Sequence, residues 1–491
     1  MFKKNLFRLI SMLAVIALLF TACNSTKEPV SDSDGDDLKN PYEIQWYFVG
    51  NPNQPDMASV ESELNKYLKE KINATVVMSS LDFATYENRI NMMIAGNESL
   101  DLMFTTSWCA NYKLNAAKGA FLPIDDLLTK YAPKTKALLG EDFLRGPMID
   151  GKLYAIPANK DKAHNWGFVY REDIAEKHNI DMSQIKSFED LEPILQIIKE
   201  KEPTITPLGV AGGRTTANLL DFDTLSFPGG FFPDSDADTI INLYETPEYK
   251  TALELARKFY LSDYVRKDSD VAKNFSSLQK DGTFFVSLEQ CKPGKADELS
   301  SASNGMKFVQ QDVTPPRTVS GDTMGSMMAI PRNSKNPERV MMFLELLNTD
   351  PYVNNLVNFG IEDKHYKEAG EVIEIIKDGG YSQAGSQWQF GNVFLNKILS
   401  NESPDKLTLL DEYNKSATPS KTLGFNFDSE PVKAEISACE NVKAEFIMPL
   451  EVGSVDPETT LPKFLDKLKQ AGAPKIMAEM QKQYDAWKAS K

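Results

Sequence analysis

Three of the five tryptophans stand outside apolar runs, where an indole face is available to a ligand. Trp108 follows the polar turn Thr105-Thr106-Ser107, directly after an apolar run. Trp166 lies in His164-Asn165-Trp166-Gly167, and Trp388 in Ser386-Gln387-Trp388-Gln389. A large ring with one N–H can pack a lobe of the protein or offer a platform to a flat ligand face, and the sequence leaves both open. Arg214, in a glycine-containing loop, carries a planar fork suited to a hydroxyl or carboxylate, and a surface role fits it equally. Glu289 and Asn165 are further hydrogen-bonding candidates. The chemistry these types support is reversible binding, with aromatic platforms flanked by polar groups. Trp46, inside a strand-like run, and Trp487, on the apolar face of the last helix, read as core.

No pattern points to catalysis. The chain has no G-x-S-x-G elbow, no P-loop and no zinc signature. Its three histidines, His164, His178 and His365, are isolated from one another. The four cysteines, Cys23, Cys109, Cys291 and Cys439, form no C-x-x-C pair, and the last three are expected to be free buried thiols. Asp234, Asp236 and Asp238, with Glu245 in twelfth place, imitate a calcium loop. Thr239 stands where that loop needs glycine, so a solvated acidic loop is expected. Asp32, Asp34 and Asp36, with Glu43, repeat the coincidence, again without the glycine. No metal and no cofactor is implied. A glycosidase needs only two carboxylates, and with 70 acidic residues a secreted carbohydrate-active enzyme stands as a rival reading. A net charge of −16 lacks the basic footprint of a nucleic-acid binder.

The elements that would position these residues follow from periodicity. Ile44 to Val49, Ala74 to Met78 and Leu100 to Phe104 predict strands. Between them, Val60, Leu64, Tyr67 and Leu68 predict one helix, and Tyr86, Ile90, Met93 and Ile94 another. This alternation implies a parallel sheet with right-handed crossovers. Ligands then sit beyond the carboxyl ends of the strands, beside Gly50 to Asn53 and Thr105 to Trp108. Gly151 to Pro157, then His164 to Asp173, reads as a turn, a strand stopped by proline, a polar bridge, and a second strand entering a helix. The chain is expected to cross there from one lobe to another, with the cleft beside the crossing. Met327 to Ile330, stopped by Pro331, predicts the return. Thr206 to Val210, Ile240 to Tyr244 and Thr283 to Leu288 predict further strands, the last ending at Glu289 and Gln290. Ser187 with Asp190, Thr246 before Pro247, Asn336 before Pro337 and Asp350 before Pro351 read as helix starts.

At the N-terminus, Lys3, Lys4 and Arg8 precede an apolar run from Leu9 to Phe20, then Thr21, Ala22 and Cys23. This is the form of a secretory signal, and the run is short for a membrane span of ~20 residues. Phe20-Thr21-Ala22-Cys23 resembles a bacterial lipobox, with Phe where Leu is preferred, so Cys23 is expected to carry lipid. Asn24 to Asn40 has the composition of a flexible tether.

With that lipobox, Gly151-Lys152-Leu153-Tyr154-Ala155-Ile156-Pro157, Phe168 to Asp173, Met328-Ala329-Ile330-Pro331 and Ser334 to Arg339 together resemble the solute-binding lipoproteins of ABC importers, carbohydrate-type family 1. Gly360 to Tyr366, Leu423 to Asp428 and Gln481 to Trp487 resemble the LipO-like subgroup, which has a C-terminal region of unassigned role. The resemblance implies an α/β, two-lobe, periplasmic-binding-protein-like fold of type II, with mixed sheets flanked by helices and a hinge between lobes. It implies residues 1–22 as signal peptide and 23–41 as tether. Residues 42–158 and 325–385 would form lobe 1, and 159–324 and 386–491 lobe 2. It also implies a monomer anchored by lipid to the extracellular face of the cytoplasmic membrane. Such a protein gives a small solute, a sugar or oligosaccharide, to ABC permease subunits. Trp108, Trp166 and Trp388 would then be sugar platforms, with Arg214, Glu289 and Asn165 as hydroxyl partners. A surface lipoprotein that binds peptide or protein without transport is the other alternative.

Overall fold

The structure, a computed structural model, describes residues 38–272, 274–303, 305–383 and 385–490. The expected signal peptide, Cys23, most of the tether and the Asp32 to Asp36 pattern lie outside the described residues. Residues from Pro41 onward form one compact unit.

Its first sheet has the order Ala74–Leu81, Tyr42–Val49, Leu102–Thr105, Met327–Ala329, Ala155–Pro157. The first three strands are parallel, with Tyr42 opposite Ala74 and Trp46 opposite Leu102, as the strand-helix alternation predicts. Helix Met57–Ile72 buries Val60, Leu64, Leu68 and Ile72, one per turn, against the sheet. Helix Phe83–Ala95 is capped by Asp82, which accepts the amides of Ala84 and Thr85. Met327–Ala329 returns antiparallel between Leu102–Thr105 and Ala155–Pro157. Pro157 thus lies on an edge strand, where its missing N–H leaves no ladder bond unmade.

Trp46 is fully buried at the centre of this lobe, its ring 4.8 Å from Phe48, 5.4 Å from Phe343 and 5.6 Å from Phe390. Burying one such ring is worth roughly 1.5–3 kcal/mol. Phe390 therefore holds its segment in the first core, past the expected lobe boundary at residue 386.

The second sheet is mixed, in the order Phe308–Asp312, Asn165–Arg171, Phe284–Cys291, Thr206–Gly209. Only the last pair is parallel. Membership of the two sheets fixes the crossings. Residues 158–164 lead from the first sheet to the second, and residues 313–326 lead back, with His164 and Arg317 paired between them. Phe284–Cys291 runs past its expected end, so Glu289 and Gln290 lie within it, opposite Gly167 and Trp166. The expected strand from Ile240 shrinks to Ile241–Asn242, because the Asn242 side chain accepts the Tyr244 amide and starts a 3-10 turn. Thr246 then caps helix Pro247–Leu261, with Pro247 at its first position.

A third core finishes the second lobe. Helices Lys433–Glu451, Pro457–Ala471 and Ala473–Ala489 bury Phe464, Leu468, Ile476 and Met480 against Phe231 and Tyr249. The small sheet Asp223–Ser226, Gly229–Phe231, Ile241–Asn242 packs in that core, together with Leu253, Phe425 and Phe427. Cys109, Cys291 and Cys439 are free and buried. No helix among the described residues is long and apolar enough to cross a membrane.

Candidate functional site

A cleft of about 850 Å³ opens beside the crossing strands. Trp108 reaches it from the first lobe. The Thr106 hydroxyl accepts the amides of Trp108 (2.9 Å) and Cys109 (2.7 Å), a side-chain turn that ends the strand and throws the indole outward. The ring is 53% exposed, unusual for tryptophan, yet it is held in place. Its Nε1–H donates to the Gly325 carbonyl at 3.2 Å, and Phe83 stacks on it at 6.1 Å and 29°. Trp166 lines the same cleft from the second lobe and is nearly buried. Its amide donates to the Thr314 hydroxyl at 2.7 Å, and its carbonyl accepts from Val313 and Thr314.

Trp388 is half-buried, 6.1 Å from Trp108 and tilted 46° to it, but it lines an adjoining cavity of about 600 Å³ rather than the cleft itself. Three expected residues lie outside the lining of both. Arg214 Nε is 2.7 Å from Glu289 Oε1, which also accepts from Gln279 Nε2 at 2.7 Å. Glu289 is buried in mid-sheet, where a lone carboxylate is costly, so Arg214 neutralises it and its fork is not turned to the cleft. The third, Asn165, is buried, and its Oδ1 accepts from the Tyr413 hydroxyl at 3.0 Å. The expectation that these three face a ligand is corrected: each meets a need of the fold.

Residues that sequence reasoning passed over complete the cleft. His164, on the crossing, is 2.9 Å from Asp322 on the return segment and 3.3 Å from Asp221 in the second lobe. Arg317 lies 3.8 Å from the other Asp221 oxygen. Burial alone would lower the imidazole's pKa, but the hydrogen bonds to Asp221 and Asp322 outweigh it and raise it to about 10. His164 is therefore a cation at neutral pH, bracing both crossings. Its partners stand 57 and 158 residues away, and no local spacing signals them.

Glu451 reaches the cleft from the end of the first C-terminal helix. Burial raises its carboxyl to about 6, against the hydrogen bonds from Thr215 (3.0 Å) and the Tyr249 hydroxyl (3.1 Å). Thr422 and Phe425 also line this end, and Thr422 donates to Asp223 at 2.5 Å. Lys113, across the cleft, has no ion-pair or hydrogen-bond partner among the described residues, and burial lowers its ammonium to about 8. The result is an aromatic face from each lobe with donors and acceptors fixed between them. That array suits a ring with an apolar face and a hydroxyl edge.

Among the described residues, no three or more His, Cys, Asp or Glu side chains are grouped to hold a metal ion. In the acidic loop, Asp238 pairs with Lys488 at 2.5 Å, and Lys421 Nζ donates to the Ser235 carbonyl at 2.6 Å.

Comparison with known proteins agrees with this geometry. The profile of a bacterial extracellular solute-binding protein matches residues 51–353, and a domain of unknown function (DUF3502) matches residues 421–489. A carbohydrate ABC transporter substrate-binding protein of Streptococcus pneumoniae is 30% identical over 497 residues, covering 100% of this chain and 99% of that protein. The crystal structure of the N-glycan transport solute binding protein (NgtS) of the same species superposes with a TM-score of 0.82 at 28% identity, covering 91% of this chain and 99% of that one. Its complexes with Man1GlcNAc and Man5GlcNAc score 0.73 and 0.71, at the same identity and over 91% and 92% of this chain and 99% of each of theirs. The chain has their periplasmic-binding-protein-like fold, and it belongs to the family of bacterial extracellular solute-binding proteins.

Proposed function

We propose that this protein captures a saccharide, an oligosaccharide in particular, between its lobes and passes it unaltered to an ABC permease. The observation that carries this reading is the pair Trp108 and Trp166, one from each lobe, lining one cleft among fixed hydrogen-bonding groups. Micromolar capture needs about 8 kcal/mol net. Two stacked rings and several hydrogen bonds can supply it. The relatives bearing carbohydrate and N-glycan names support the ligand class. A hinge between the lobes closes on the ligand in this reading. In this reading lobe 1 is residues 42–158 and 325–385, extended through Phe390, and lobe 2 is 159–324 with the rest of the chain. Lipid on Cys23, with the more than one acyl chain that stable anchoring needs and bacterial lipoproteins carry, holds the protein at the extracellular face of the membrane.

Calorimetric and thermal-shift titration of the mature chain with Man1GlcNAc and Man5GlcNAc tests the reading. A ligand at 100 times its Kd stabilises the folded state by about 2.7 kcal/mol, a plain rise in Tm. Mass spectrometry should recover the glycan intact. No shift with these or with a panel of mono- and oligosaccharides overturns the ligand class, and hydrolysed product turns the protein into an enzyme. Cys23→Ser should release the protein from cells into the medium; retention at the membrane overturns the anchor.

A further inference from the structure

The cleft and the adjoining cavity share one set of charged side chains. Lys160, Asp161, Lys292 and Glu298 line both. They hold one another: Lys160 Nζ is 2.8 Å from Asp161 Oδ2, and Lys292 Nζ is 3.5 Å from Asp161 Oδ1 and 3.1 Å from Glu298. None of the four is fully buried, so the cluster forms a polar sill between two spaces. The tryptophans divide between the two spaces. Trp108 lines the larger space and Trp388 the smaller, with ring centroids 6.1 Å apart and planes at 46°. Two platforms set at that angle cannot both stack on one straight chain of rings. They suit a ligand that bends or branches between them.

The smaller cavity has the matching chemistry. Beyond Trp388 its wall mixes Asn396, Lys397 and Glu402 with Leu399, Leu409 and Leu410. Lys397 is neutralised by Glu368 at 2.6 Å, and Glu402 by Lys406 at 2.5 Å, so neither invites a counter-ion. A half-buried indole with neutralised polar groups and some aliphatic surface fits a neutral ring with an apolar face. Each space alone is within the ~300–1,000 Å³ that takes one drug-sized ligand. Together they hold more.

We infer that the cavity beside Trp388 is a second saccharide subsite. It takes one arm of a branched or bent oligosaccharide whose other arm stacks on Trp108 and whose branching residue meets the Lys160, Asp161, Lys292 and Glu298 sill. This rests on the saccharide reading above and adds to it the shape of the ligand: short glycans fill the cleft alone, and branched ones gain affinity from the second space.

Isothermal titration of the mature chain with Man1GlcNAc and Man5GlcNAc, in parallel, separates the two ideas. The wild type should bind the larger glycan at least tenfold more tightly. Trp388→Ala should reduce that preference to threefold or less. Because Trp388 also touches Trp108, Leu409→Glu, on a partly exposed helix position lining only the smaller cavity, is the second variant. It should weaken Man5GlcNAc tenfold while Man1GlcNAc stays within threefold. Equal affinity of the wild type for both glycans, or a preference that survives both variants, overturns the subsite and leaves saccharide capture standing. Binding of neither glycan, nor of any other saccharide, overturns capture and the subsite together.

Discussion

The two lobes reach stability by different routes. The first builds its core on three parallel strands that alternate with helices along the chain, and Trp46 packs there against Phe48, Phe343 and Phe390. The second has separate cores: its mixed sheet packs two sets of residues, while the small sheet around Phe231 packs with helices that begin at Lys433. Contact between Tyr244 and Phe464, at 5.3 Å, joins residues more than two hundred positions apart. The C-terminal region therefore packs on the small sheet and on helix Pro247–Leu261. Through Thr422, Phe425 and Glu451 it is also part of the cleft wall.

The largest effect expected is at this junction. Phe464 is fully buried, so Phe464→Ala should cost about 3–5 kcal/mol, a large share of a typical domain's stability. Phe285→Ala, in the sheet core of the same lobe, should cost a similar amount. If the C-terminal helices are integral to lobe 2, urea unfolding followed by fluorescence will move the same transition in both variants. A separate early transition in Phe464→Ala alone would break the comparison, making the region an independent module.

Next in size is the ion pair that the sequence offered as a ligand site. Arg214→Ala strands the buried Glu289 carboxylate, although Gln279 still donates to it and Lys295 is 3.9 Å away. A loss of about 1–3 kcal/mol is expected, with glycan affinity changed less than threefold. Affinity falling tenfold at unchanged stability would return Arg214 to the binding site. Trp108→Ala is the mirror case. The ring is half out of the protein, so unfolding should move little while Man1GlcNAc binding weakens at least tenfold, about 1.4 kcal/mol. Unchanged affinity would remove Trp108 from the site.

The contrast between Arg214 and Trp108 follows from what the chain shows locally. The position of Trp108 at the cleft is legible because its setting is local: an apolar strand, then a threonine turn. The first-lobe sheet was legible for the same reason, since each strand and helix carries its own period. Glu289 looked like a strand end because a glutamate inside a buried strand is unfavourable unless paired. Its partner Arg214 lies 75 residues earlier and cannot be assigned by spacing. Phe390 looked like the start of the second lobe because the rings that hold it, Trp46 and Phe48, are over three hundred residues upstream. His164 has no second histidine near it in sequence, and its partners are distant carboxylates.

The remaining predictions come from titration, and they carry the comparison into the cleft. Glu451 has its carboxyl raised from 4.5 to about 6, so the folded state holds its proton more tightly than the unfolded chain. Its contribution is full below pH 4.5 and is lost as pH rises through 6. His164, raised from 6.5 to about 10, acts in the same direction over a higher window, stabilising fully below pH 6.5 and losing that contribution as pH climbs toward 10. Lys113, lowered to about 8, works oppositely: its burial is costly while charged, so stability recovers between pH 8 and 10.5. The clean window for His164 is thus pH 6.5 to 8. Urea titrations at closely spaced pH should show His164→Gln flattening the slope in that window, and Glu451→Gln flattening it between 4.5 and 6. If His164→Gln leaves the upper slope intact, the imidazole does not brace the crossings. If Glu451→Gln leaves the lower one intact, the C-terminal helix brings no strained carboxyl into the cleft.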